Sequence, residues 1–288
     1  MTAELTRRRV LDDLPPLRAA LATHGLSLGW AVTEADGADG DGGDGGADGD
    51  GGDGGDGGDG GDGGDGGDGG TRPADLTPAG PDEARAAAGM PPTRRREFLA
   101  GRSAARRALR AAGGPDGEIG RAGRRPLAPA GWALSISHSA GIAVAVAAPT
   151  GRHAAVGCDL ELRPLPAAAA RLVLTGPERA WAGEASAADA EQRLLALFSA
   201  KEAAFKLLCG GWPETFGALT VARLTADPPP AGARPRAFRL RPKLPSPADT
   251  ARAEGAPPGA PPGVVVVRVG AVGGGVFCWA VLPVGDRY

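Results

Sequence analysis

Three short stretches place side chains at spacings suited to phosphate and metal chemistry. In Gly-Cys-Asp-Leu-Glu, Asp159 and Glu161 stand two apart, and on a strand residues i and i+2 share a face. Two carboxylates on one face repel unless a cation lies between them. Magnesium accepts one or two carboxylates and completes its octahedron with water and phosphate oxygens. Alone, the pair suits an exposed face near a sheet edge equally well. In Lys-Glu-Ala-Ala-Phe-Lys, Glu202 and Lys206 are four apart and therefore adjacent on a helix. A surface ion pair worth about 0.3–0.5 kcal/mol would account for them. Lysine usage argues for more: the chain has only Lys201, Lys206 and Lys243 among 32 basic residues, the rest being arginine. An ammonium can give up a proton that a guanidinium retains, so Lys206 reads as a proton-handling or phosphate-gripping group. In Ser-Ile-Ser-His-Ser, His138 leaves a strand between Ser137 and Ser139. The hydroxyls, the following Gly-Ile turn and a basic helix upstream suit a phosphate-binding corner, although a lone histidine is commonly structural.

The elements that must position these groups follow from periodicity. Thr93–Gly114 reads as a helix capped by Thr93 and ended by Gly113 and Gly114, with Phe98, Ala105 and Leu109 as its apolar stripe. Arg95, Arg102 and Arg106 repeat that spacing and read as a solvated basic stripe. Trp132, Leu134 and Ile136 alternate with small residues as in a strand. Two more strands are expected in Gly-Ile-Ala-Val-Ala-Val-Ala-Ala and Ala-Ala-Val-Gly-Cys-Asp-Leu-Glu-Leu, with Cys158 and Leu160 facing the core. A helix over about Ala188–Leu208 would bury Leu194, Phe198 and Phe205. Asp227–Gly263 is Pro-rich and poorly patterned, and two late strands close the chain. Leu26–Val32 reads as one strand packing on the body. Hairpin-like strands with helices between groups favour α+β over a doubly wound parallel sheet.

Composition narrows the rest. Residues 36–70 hold 12 Asp, 21 Gly and 2 Ala, with nothing to bury, and read as a solvated linker of roughly 30 Å r.m.s. span. A calcium-binding β-helix repeat would need a regular apolar residue that this tract lacks. Without those 12 charges the net charge of −2 becomes +10, and a basic body suits an anionic ligand or acidic partner. Three cysteines without a CxxC pair fit a reducing cytoplasm. No signal peptide is read, and no run approaches the roughly 20 apolar residues of a membrane helix. Aromatic residues at 4% argue against nucleic acid.

Together, GRSAARRAL, RRPLAPAGWALSISHS, VGCDLE and FSAKEAAFK resemble, in order and approximate spacing, the Sfp-type 4′-phosphopantetheinyl transferases. The REFLAGR helix is most similar to the enterobactin-synthase component D-like branch. The resemblance covers about Thr93–Leu208. It implies a pseudo-twofold α+β fold whose halves, residues 71–150 and 151–288, hold coenzyme A between them, with residues 1–35 packing on the body. It implies a magnesium-dependent transfer of phosphopantetheine from CoA to a serine of an acidic acyl or peptidyl carrier protein, releasing 3′,5′-ADP. Asp159, Glu161 and Glu202 would hold Mg²⁺. His138, helped by Ser137, would contact CoA phosphate. Arg94 and Arg102 would grip the nucleotide's 3′-phosphate, with Arg124 a further match. Glu202, directly or through water, would take the serine proton, and Lys206 would stabilise or protonate the leaving ADP. Lys201 is expected to serve CoA or structure. Where the family has Trp-Pro, this chain has Ala128-Pro129, so an aromatic wall is missing or supplied by Trp132. A cytoplasmic monomer serving polyketide, nonribosomal-peptide or siderophore assembly is expected, with no nucleic-acid or membrane partner. The alternatives are another Mg-dependent phosphotransferase or hydrolase, and a non-catalytic basic binding protein.

Overall fold

A computed structural model of the chain describes residues 3–33, 76–211, 221–227, 235–243 and 263–284. The Gly/Asp tract and much of the Pro-rich stretch lie outside the described residues. In chain order the elements are α1 (Ala3–Ala22), β1 (Ser27–Val32), α2 (Pro81–Ala88), α3 (Pro92–Ala111), β2 (Arg121–Ala122), β3 (Arg125–Pro126), β4 (Trp132–Ser139), β5 (Ile142–Pro149), β6 (His153–Glu161), α4 (Ala167–Val173), α5 (Gly176–Gly183), α6 (Ala187–Gly211), β7 (Leu224–Asp227), β8 (Ala237–Pro242), β9 (Val265–Val272) and β10 (Gly275–Pro283). Two antiparallel sheets, ordered β1-β5-β4 and β6-β10-β9-β8-β7, and a small β2-β3 ladder give an α+β architecture.

The same connection recurs in both sheets. A first strand (β1 or β6) pairs with the last (β5 or β10), which pairs with the one before it (β4 or β9). Each closing hairpin turns on two residues at positive φ, Ala140-Gly141 and Gly273-Gly274, as two-residue primed turns demand. One long helix covers each sheet, α3 the first and α6 the second. Each approach is close because the first strand carries a glycine there. A Cβ on Gly29 would lie 2.3 Å from the Ala104 carbonyl oxygen, and one on Gly157 would lie 2.0 Å from that of Ala203.

Strand β5 shows how the faces divide. Ala143, Ala145 and Ala147 meet the alanine-rich side of α3. Ile142, Val144, Val146 and Ala148 face the opposite way, into a core shared with Val156, Cys158 and Leu160 of β6 and Phe277 and Trp279 of β10. Covered on both faces, the strand is apolar throughout. Val10, Leu14, Leu17 and Leu21 of α1 close this shared core. The sequence reading missed α1 because Pro15 and Pro16 lie inside it, where proline normally breaks a helix. Burial of the four-residue stripe outweighs that penalty.

Several expectations need correction. Helix α3 begins at Pro92 without a side-chain cap, so Thr93 does not cap it; proline's fixed φ starts the helix instead. Arg102 and Arg106 are not a solvated stripe: both are largely buried, Arg106 pairing at 2.8 Å with a fully buried Glu83. On α6 the deeply buried apolar residues include Leu197, Ala200, Ala204 and Leu207, whereas Leu194, Phe198 and Phe205 are only half-buried. The Pro-rich stretch contains β8, paired with β7 and β9.

Candidate active site

Strands β4 and β6 run side by side, joined through serine hydroxyls instead of a backbone ladder. Ser135, Ser137 and Ser139 accept hydrogen bonds from the amides of Cys158, Leu160 and Leu162 at 3.0, 3.2 and 3.1 Å. The offset of 23 residues is constant, so the strands are parallel. Strand β6 spends its other edge on β10; the serines satisfy amides that would otherwise be buried without partners. The alternate residues of β4 face α3, where Ile136 lies against Gly101 and His138 meets Arg94. One strand thus serves two neighbours through its period of two.

This seam delivers the carboxylates to α6. Asp159 and Glu161 share a face of β6, as the spacing predicts, but Asp159 is buried, not exposed at a sheet edge. Its Oδ1 accepts from Ser137 at 2.8 Å and from the Lys206 ammonium at 2.7 Å. Lys206 also donates to Ser137 Oγ at 3.1 Å. The adjacency of Glu202 and Lys206 therefore does not give their ion pair; Lys206 turns across to β6. Asp159 Oδ2 is buried and has no hydrogen-bond partner among the described residues. Burial, then the neighbouring Asp159, pushes the Glu161 carboxyl up to about 7. Glu202 is likewise raised, chiefly by burial. Burial works against the Lys206 ammonium, but Asp159, Cys158 and Glu202 more than offset it and its pKa rises. Lys206 is thus a firmly held cation. Three acidic side chains are electrostatic neighbours, and no closed cluster of three His, Cys, Asp or Glu residues forms among the described residues.

The basic residues reach the same corner from α3. Arg94 donates to His138 Nε2 at 2.9 Å and to Glu97 at 3.2 Å. Because arginine only donates, that ring nitrogen carries a lone pair and His138 is neutral in this contact. Burial lowers its pKa, opposed by Glu97 and reinforced by Arg94 and Lys206. Two turns along α3, Arg102 stacks on Phe98 at 4.4 Å and donates to the Gly120 carbonyl at 3.3 Å. Its Nε has no partner among the described residues, and burial lowers its pKa to about 10. Beside it a cavity of about 300 Å³ is lined by Asp82, Arg85, Ala86, Phe98, Ile119, Gly120, Arg121 and Leu127.

Arg124 sits apart from this group, exposed in the β2-β3 turn. Its neighbour Arg125 reaches the carbonyls of Cys209 and Gly210 at 3.2 and 3.4 Å, at the negative end of α6. Trp132 packs over Gly114 beyond α3. Lys201 is completely buried and donates to Glu178 at 2.6 Å and to the Val173 carbonyl at 2.9 Å. Glu178 also accepts from the amides of Thr175 and Ala226 at 2.7 Å. Lys201 is therefore structural here, and it locks the helix turn that carries Glu202. Sequence reasoning missed Glu178 and Glu83; the box Thr175-x-x-Glu178, which caps α5, was the available signal for the former.

Residues 82–148 match the family model described as "4'-phosphopantetheinyl transferase N-terminal domain", and residues 155–245 match "4'-phosphopantetheinyl transferase superfamily". The chain is 37% identical over 145 residues to a protein of Nocardia iowensis named "4'-phosphopantetheinyl transferase Npt". That alignment spans 50% of this chain and 63% of the relative's length.

Proposed function

This chain belongs to the 4′-phosphopantetheinyl transferase superfamily, and from that premise we propose that it moves phosphopantetheine from coenzyme A to a carrier-protein serine. The observation that carries the reading is the environment of Asp159. One oxygen is held by Ser137 and Lys206, the other is buried and bare, and two further carboxylates with raised pKa values lie nearby. Crowded oxygen donors without enough positive charge among them fit a hard divalent cation. Asp159, Glu161 and Glu202 would hold Mg²⁺, which when bound would neutralise the charge that grows on the pyrophosphate.

The chain's own residues divide the remaining work. Glu202, its affinity for protons raised by burial, takes the proton of the incoming serine hydroxyl directly or through one water. The serine oxygen attacks the β-phosphorus of CoA and the bond to the bridging oxygen breaks, releasing 3′,5′-ADP. Lys206 faces that leaving group as a fixed cation; its raised pKa favours charge stabilisation over proton donation. Neutral His138 and Arg94 meet the phosphate side of the site. Arg102, with a donor unused among the described residues and beside a cavity that combines Phe98, Ile119 and Leu127 with Arg85, Arg121 and Asp82, suits the 3′-phosphate and adenine end. Arg124 would contribute only from the exposed turn.

The repeated strand order, the paired turns and the matched glycines support a pseudo-twofold fold in which β1 and Gly29, from the segment 1–35, complete the sheet of the half spanning 71–150, opposite the half 151–288; CoA between the halves is what membership of the family implies. A charge of +10 outside the Gly/Asp tract favours an acidic acyl or peptidyl carrier domain. The REFLAGR helix supports the enterobactin-synthase component D-like branch, and the three free cysteines are in keeping with a reducing cytoplasm. Among the described residues no helix is long and apolar enough to cross a membrane. The deciding experiment incubates the protein with CoA, Mg²⁺ and an apo carrier protein and weighs the carrier by mass spectrometry. A gain of one phosphopantetheine is expected. CoA consumed without that gain would favour a different phosphotransferase or hydrolase, and neither change would favour a binding protein.

A further inference from the structure

The hydroxyl of Ser137 is used completely inside the protein. It is 5% exposed and has one hydrogen to give and two lone pairs. The hydrogen goes to Asp159 Oδ1 at 2.8 Å. The lone pairs take the Leu160 amide at 3.2 Å and the Lys206 ammonium at 3.1 Å. No capacity is left for a phosphate oxygen. The neighbouring serines divide the same task. Ser135 and Ser139 accept from the Cys158 and Leu162 amides, and Ser135 bonds no carboxylate among the described residues. The row thus grades from pure seam at Ser135 to seam and site at Ser137, where β4, β6 and α6 meet in one hydroxyl.

We propose that Ser137 is a positioning residue, not a substrate ligand: its hydroxyl fixes the Asp159 carboxylate and the Lys206 ammonium relative to each other across the β4–β6 seam. The assignment of work to Asp159 and Lys206 rests on the function proposed above, but the placement of the hydroxyl does not. Without Ser137, Lys206 keeps Asp159 yet loses the second partner that sets its direction, and Asp159 can swing its free oxygen. Removal therefore disturbs the reacting geometry more than the grip on the nucleotide.

The test compares Ser137→Ala, Ser137→Thr and Ser135→Ala by three readouts. These are thermal melting of the metal-free protein, calorimetric CoA binding without Mg²⁺, and the kcat of carrier modification. Ser135→Ala and Ser137→Ala should both lower the melting temperature, since each strands one buried amide. Ser137→Ala should hold the CoA dissociation constant within about threefold of wild type while kcat falls about 10- to 100-fold. Ser135→Ala should keep kcat within about threefold, and Ser137→Thr, which restores the hydroxyl, should recover most of the lost rate. CoA binding weakened by about tenfold or more, with melting unchanged, would make the hydroxyl a substrate ligand and overturn the proposal. So would a Ser137→Ala enzyme of undiminished kcat. If even the wild type modifies no carrier, the transfer reading fails by itself, and melting and CoA binding still decide whether Ser137 serves the seam or the ligand.

Discussion

Replacing Gly157 by alanine should damage catalysis by moving a helix rather than by touching a reactive group. A Cβ at this point of β6 would stand 2.0 Å from the Ala203 carbonyl oxygen and 2.7 Å from the Leu207 amide nitrogen. Both are backbone atoms, so no side chain can rotate away. For the oxygen to recede to ordinary contact at 3.4 Å, strand and helix must part by about 1.4 Å. Ala203 and Leu207 directly follow Glu202 and Lys206, so the displacement passes to both groups, while Asp159 stays with the strand. Overpacking of this kind costs roughly 1–3 kcal/mol, and a misplacement of about 1 Å at reacting groups can cost about 100-fold in rate. The expected result is a folded protein by circular dichroism, melting several degrees lower, with kcat of carrier modification down by about two orders of magnitude. Gly29→Ala is the matched control, because its Cβ would strike α3 at 2.3 Å. That variant should act mainly on KM for CoA through Arg94 and Arg102. A Gly157→Ala protein with wild-type melting and kcat would refute the close contact and the placing of the reacting groups on α6.

Lys206→Arg keeps the charge but replaces a point donor with a bulky fork; it should lower kcat by about 10- to 100-fold with a smaller change in KM for CoA, and steady-state kinetics at wild-type rate would leave Lys206 only the structural role of holding Asp159. Lys201→Met leaves Glu178 as an uncompensated buried charge and should cost about 3–5 kcal/mol in chemical denaturation; Lys201→Met with Glu178→Gln should regain part of that, and strictly additive losses would contradict the coupling. Glu161 ties stability to pH: its folded value of about 7 lies above its ordinary 4.5, so the folded protein holds the extra proton, and metal-free stability from this group falls as pH rises through that window. With Glu161 in the proposed ligand set, Mg²⁺ would displace the same proton, so the rise in melting temperature on adding MgCl₂ should be larger at about pH 8 than at about pH 6. Equal rises at both values would remove Glu161 from the ligand set.

Local periodicity was enough to read β1, β4, β5, β6, β9, β10 and helices α3 and α6, and to put Asp159 with Glu161 and Glu202 beside Lys206. Those relations depend on a spacing of two along a strand and four along a helix, which the chain carries in itself. What each group bonds to was decided elsewhere. Lys206 lies near both Glu202 and Asp159, and only the packing of α6 on β6, made close by Gly157, turns it to Asp159. By periodicity Arg102 falls in a solvated basic stripe; its stacking on Phe98, four residues back on the same helix, is local, but its burial beside the Gly120 carbonyl comes from the packing around α3. Helix α1 holds two prolines that argue against it locally, and it exists because two sheets leave a shared core for Val10, Leu14, Leu17 and Leu21 to fill. Strand β8 likewise emerges from Pro-rich sequence because β7 and β9 supply its partners. The serine row spells a simple alternation in sequence; the seam it forms depends on a neighbouring strand 23 residues away. A hydroxyl, an ammonium or a buried amide takes its partners from whatever the tertiary fold brings within about 3 Å, and no short-range pattern encodes that.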